Sequence, residues 1–149
     1  MLTMRVHETG GALVTDDIPA PEPGPGEVAI RVRACGVNFA DTLMVKGTYQ
    51  EKPALPFAPG IEVCGIVEAL GPGVAGPAPG RRVAAMCGHG GFAEVVTART
   101  ETCVALPGEI GDAEAAALQV AYGTSDLALA HRAGLKAGER LLVLGAAGG

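Results

Sequence analysis

The stretch "GPGEVAIRVRACGVNFADTLMVKGTY", residues 24–49, changes period part-way along its length. Val28, Ile30, Val32 and Ala34 recur at every second position with Arg31 and Arg33 between them, the pattern of a strand with one face in a core and the other in water. At Asn38 the alternation stops. Asn38 is a favoured N-cap, Asp41 falls in the first turn where a carboxylate suits the helix dipole, and Gly47 ends the run, so a short helix is predicted between them. A half-buried strand followed at once by a short helix sets the architecture to be sought on either side.

Upstream, "PAPEPGPGE" (residues 19–27) excludes helix and central strand through its prolines and reads as an extended connector. Before it, Met4 to His7 and Ala12 to Thr15 suit a hairpin. Downstream comes a proline-rich loop, "YQEKPALPFAPG". Strands are then predicted at 61–70, 81–87, 91–98 and 102–107, with Gly and Pro turns between them. Many short strands at close spacing indicate a mainly β fold, a small barrel or sandwich.

From residue 112 the texture becomes helical. Asp112 can cap one helix, and Thr124 or Ser125 a second that ends at Gly134. The closing "KAGERLLVLGAAGG" supplies a turn, an apolar strand and a glycine loop, the opening step of a doubly wound α/β domain. The boundary between the two textures falls near residues 108–125.

Composition narrows the function classes. The chain has 149 residues, 48% hydrophobic and 18% charged, with 23 Gly and 11 Pro, a globular and turn-rich balance. Its net charge of −5 contains no basic run, so nucleic acid is not expected as a partner. No apolar stretch reaches the roughly 18 residues of a membrane helix, and "MLTMRVHETGG" lacks a signal-peptide core, so a cytoplasmic location is expected. The four cysteines (Cys35, Cys64, Cys87, Cys103) are far apart in sequence and read as reduced, buried small hydrophobes. For metal, only Cys87 and His89 in "CGHGG" stand close together, too few donors for a zinc site.

In "GPGEVAIRVRACGVNFADTLMVKGTY", "LPFAPGIEVCGIVEALGPGV", "GGFAEVV" and "LQVAYGTSDLALAHRAGLKAGERLLVLGAAGG" the sequence resembles the medium-chain dehydrogenases/reductases, specifically the zinc-independent quinone oxidoreductase (zeta-crystallin-like) branch. The resemblance implies a GroES-like, partly open β-barrel over residues 1–120. The first elements of a Rossmann domain would come after it over 121–149, incomplete because the family pattern continues past "AAGG". It further implies that zinc-dependent relatives carry Cys where this chain has Asn38, His where it has Leu43, and "GHE" where it has Gly60, Ile61 and Glu62. Asp41 and Glu62 persist without those ligands, and a capping or pairing role within the scaffold is expected of them.

The chemistry implied is conjugate reduction. Without a Lewis acid, reduction of a simple carbonyl loses the stabiliser of its developing alkoxide. Hydride added to a quinone or an α,β-unsaturated carbonyl instead leaves a delocalised enolate that hydrogen-bond donors can stabilise. By resemblance, NADPH is the expected cofactor with NADH open, and no zinc is expected. Asn38, Phe39, Asp41 and Thr42 would lie at the nicotinamide edge, with Ala40 between them. Thr124 would approach from the second domain, Tyr49 would line the substrate cleft, and Ala147, Gly148 and Gly149 would begin the pyrophosphate loop. Asn38 and Tyr49 are the expected catalytic residues. Each has a plainer role: Asn38 and Thr124 as helix caps, Tyr49 as a cover for the barrel. The expected partner is a small quinone or enone, with a homodimer at full length and an inert chain on its own. A non-enzymatic barrel module binding a partner is the alternative. A zinc alcohol dehydrogenase is disfavoured by Asn38, Leu43 and Ile61.

Overall fold

The computed structural model describes residues 1–146. β1 (Leu2–Val6) and β2 (Leu13–Asp17) form the expected antiparallel hairpin. Five further strands, β3 (Glu27–Cys35), β4 (Glu62–Leu70), β5 (Arg82–Met86), β6 (Val95–Arg99) and β7 (Cys103–Ala105), build one sheet in the order β6-β3-β4-β5-β7. Every neighbouring pair in it is antiparallel. The sheet curls: Val96 and Ala98 of β6 share a buried cluster with Val83 and Ala85 of β5, although two strands lie between them. The result is the partly open β-barrel of the GroES type. Its hairpin is fastened to one end by Met4 N–H donating to Phe92 O (2.8 Å) and Val6 N–H donating to Phe57 O (2.9 Å).

β3 forms as its alternation requires, with one correction. Val28, Ile30 and Val32 face the barrel core, but Ala34 does not continue their face. The register with β4 slips between Val32 and Ala34, leaving Arg33 without a partner. One extra residue reverses the parity of a strand. Cys35 therefore returns to the barrel core, while Ala34 packs outside it with Cys64, Ala115 and Ala116. A matching slip leaves out Glu68 of β4, which pairs with Arg31 across the sheet.

α1 (Phe39–Val45) starts after Asn38 as expected and covers a second cluster of Val6, Met44, Phe57 and Ile61. α2 (Asp112–Ala116) covers the outer face of the sheet through Ala115 and Ala116. The N-cap of α2 is Gly111, not Asp112. The Asp112 carboxylate is drawn instead to the Arg82 guanidinium at 3.1 Å, an interaction between charged groups that a cap bond does not match.

Helical structure then runs without a fresh start at Thr124 or Ser125. α3 (Leu118–Asp126) passes through both, Ser125 Oγ donates back to Ala121 O (2.9 Å), and wider π-type turns continue over Leu127–Arg132. Gly134, at φ 62°, ends the run as predicted. The strand expected at 141–144 is not formed. Leu142 and Leu144 are 82% and 85% exposed. A parallel strand needs neighbours on its edges to satisfy its backbone and cover its faces, and none stands beside this segment among the described residues. Ala147, Gly148 and Gly149 lie outside the described residues.

Candidate functional site

The site grows from the junction of β3, α1 and β4. Asp41, third residue of α1 and 3% exposed, spends both oxygens on the backbone. Oδ2 accepts from Asn38 N–H (2.8 Å) and Oδ1 from Gly60 N–H (2.8 Å). The helix start is thereby tied to the loop that enters β4. The Asn38 side chain makes no cap bond to α1. Its Nδ2 donates instead to Glu62 Oε1 at 3.0 Å, and Glu62 Oε2 accepts from Val120 N–H of α3 at 2.9 Å. Both carboxylates thus take the scaffold roles expected of them, and Glu62 links three elements.

Phe39 stands 71% exposed at the head of α1. Thr42 turns its hydroxyl back onto Phe39 O (2.7 Å). Tyr49 and Val120 are both half-buried against the cluster under α1, so the cleft candidate and the start of α3 share one patch of core. Thr124 is exposed, one helical turn beyond Val120 and therefore on the same face of α3. Asn38, Asp41, Glu62 and the start of α3 are brought together. Gly36 and the Val120 backbone belong to the same junction and are not expected from sequence. The signals available are a glycine closing a strand, which often marks a close approach, and a helix whose N-cap position holds Ala117, with no side-chain acceptor of its own.

The cysteines are held as thiols. Burial pushes Cys35 and Cys87 up to about 12 and Cys64 and Cys103 up to about 11. Cys87 Sγ donates to the carbonyls of Gly60 and Ile61, both at 3.2 Å, and His89 packs edge-on to Phe57 with ring centres 6.4 Å apart. Neither member of the "CGHGG" pair is free to act as a ligand without giving up those contacts. Among the described residues no group of three His, Cys, Asp or Glu is placed to hold a metal ion.

Residues 24–108 match the alcohol dehydrogenase GroES-like domain. The chain belongs to that family. Over its whole length this GroES-like domain chain is 44% identical to the quinone oxidoreductase of Lama guanicoe and 41% identical to that of Homo sapiens, covering 46% of each. A probable oxidoreductase from Mycobacterium abscessus superposes with a TM-score of 0.90 at 42% identity, over 99% of this chain and 48% of that one. The quinone oxidoreductase of Thermus thermophilus, solved also in complex with NADPH, gives a TM-score of 0.81 at 40% identity, over 93% and 43%. These likenesses place the chain among the medium-chain dehydrogenases/reductases. It spans about half the length of the curated relatives it matches. No helix of the described residues is long and apolar enough to cross a membrane.

Proposed function

We propose that this chain is the substrate-side part of an NADPH-dependent reductase of quinones or enones, in which hydride reaches a conjugated carbonyl without zinc. The observation that carries the reading is the hydrogen bond from Asn38 Nδ2 to Glu62 Oε1. It joins two positions that, by the family resemblance, border the metal in zinc enzymes, and it leaves a neutral amide where a thiolate would be needed. Ile61 is 7% exposed in the apolar cluster beneath α1, so that ligand position also holds a packed hydrocarbon. This donor set is wrong for zinc.

The residues present suit the nicotinamide end of NADPH. Phe39 exposes a ring that a planar group can cover, and Asn38 and Thr42 at the start of α1, with Thr124 on α3, carry polar side chains. Asp41 contributes by holding the Asn38 backbone. When bound, NADPH supplies the hydride. Tyr49, with its phenolic donor, is assigned to the substrate cleft, where it offers a hydrogen bond to the developing enolate oxygen. Residues 1–120 would form the substrate domain, and 121–149, with Ala147, Gly148 and Gly149, would begin the dinucleotide-binding domain. The working protein would be a cytoplasmic homodimer, and four unbridged cysteines suit a reducing compartment.

The test compares this chain with a protein of the relatives' length that carries it. NADPH titration followed by cofactor fluorescence should show binding by the longer form and none by the 149 residues alone. After dialysis against a chelator, the longer form should still oxidise NADPH with a quinone or an enone. Activity that disappears with the chelator and returns with zinc refutes the metal-free mechanism. Tight NADPH binding by the short chain refutes the division of the cofactor site.

A further inference from the structure

We propose that Glu62 is a positioning residue that fixes which end of the Asn38 amide the site presents, using the same carboxylate that caps α3. The proposal rests on the reading of Asn38 as a nicotinamide-side contact. A primary amide offers a donor end and an acceptor end, and a freely turning one would offer either. An ionised carboxylate has only acceptors, so the end of Asn38 that meets Glu62 Oε1 at 3.0 Å must be the NH2 group. The acceptor Oδ1 is then the end left for a ligand.

Two features keep the carboxylate in place. α3 opens after Ala117, which lacks a capping side chain, and its first turn contains no acidic residue. Its third N–H, that of Val120, is satisfied by Glu62 Oε2 at 2.9 Å. A residue of β4 therefore does for α3 what an N-cap side chain does, and the positive end of the helix favours the carboxylate in return. The second feature is a cradle. A Cβ added at Gly36 would lie 2.5 Å from Glu62 Oε1, 2.7 Å from its Cγ and 2.9 Å from Ala116 O, so the absence of a side chain there makes the space. Glu62 is 2% exposed in that space and cannot swing away without unseating both partners.

An acceptor at Asn38 suits a ligand N–H, such as the carboxamide of a nicotinamide, and does not suit an enolate oxygen. Asn38 then orients the cofactor, and stabilisation of the enolate falls to a donor elsewhere, for which Tyr49 is the candidate. Loss of Glu62 should consequently weaken cofactor affinity and leave the chemical step nearly intact.

Glu62→Gln is the informative change, because Gln brings one carbonyl oxygen to a place where two N–H groups arrive, and one bond must be lost. In the longer form, E62Q should raise KM for NADPH about tenfold, the size of one charge-assisted hydrogen bond, with kcat changed less than about twofold. N38A should have a similar effect, and adding E62Q to N38A should change KM by less than about twofold, because residues acting through one contact are not additive. Full multiplication of the two effects, or a fall in kcat with KM unchanged, overturns the proposal. If N38A leaves KM unaltered, the cofactor reading of Asn38 fails, and the latch is judged separately in the 149-residue chain by solvent exchange of the Asn38 Nδ2 protons. Exchange should quicken about tenfold in E62Q and in G36A. Unchanged exchange in both folded variants overturns the latch.

Discussion

Two apolar segments of this chain meet opposite fates. Val28, Ile30 and Val63 in the barrel are at most 1% exposed, whereas Leu142 and Leu144, in an equally apolar run, are 82% and 85% exposed. Hydrophobicity is common to both. What differs is company: β3 lies between β4 and β6, with its inner face on one cluster and the outer side of Ala34 under α2, while 141–144 has neither an edge partner nor a cover among the described residues. Apolar character is a demand for burial, and neighbouring strands decide whether it is met.

The contrast can be broken most forcefully in the core. Ile30→Ala should cost about 3–4 kcal/mol of unfolding free energy in urea titration, while Leu142→Ala should change it by less than about 0.5 kcal/mol. Equal costs would mean that 141–144 is packed in solution. Glycines provide a second pair. At Gly65 a Cβ would collide with the Arg31 carbonyl oxygen across the sheet, so Gly65→Ala should cost about 2 kcal/mol, whereas Gly123 in α3 has nothing within 4 Å and Gly123→Ala should gain about 0.5 kcal/mol. Thermal melting of both variants reads the opposite signs.

All four cysteines lie before α2, so what their thiols contribute to stability belongs to the barrel part of the chain. Their folded values of about 11 to 12 stand above the ordinary 9.0, so the folded state holds its thiol protons after an unfolded chain begins to release them. This contribution is intact below pH 9.0 and should fall between that value and about 12, seen as a declining urea midpoint. Iodoacetamide at neutral pH should label the native chain far more slowly than the denatured one, as read by intact mass. The smallest effect on stability is expected from Leu142→Ser with Leu144→Ser, which should leave the melting midpoint within about 2 °C and raise solubility in light-scattering assays.

The sequence made the barrel legible because β3, α1 and β4 each carry a strong local signal: strict alternation, a helix entry at Asn38, a largely apolar run ended by a Gly-Pro-Gly turn. The misreadings come from interactions between segments. Alternation places Ala34 with Ile30 because a bulge leaves no mark on a hydrophobic pattern. Asp112 and Thr124 have cap chemistry, yet Arg82 claims the first and α3 runs straight through the second. At the site, residues and resemblance pick out Asn38, Asp41 and Glu62, but not their wiring. That Asn38 turns to Glu62 and away from its own helix depends on Gly36, which lies close to Glu62 only after β3 and β4 have paired.

The unpaired Arg33 has a consequence for how this segment can vary. Because the strand changes parity there, Val28, Ile30 and Val32 before it report to the barrel interior, while after it Cys35 reports to that interior, Ala34 to α2 and Gly36 to the Glu62 cradle. Chain length between Val32 and Gly36 thereby acts as an address for two destinations at once. Substitutions on the exposed arginines are cheap, but one residue more or fewer would misdirect the rest of the junction, down to the glycine that makes room for the latch.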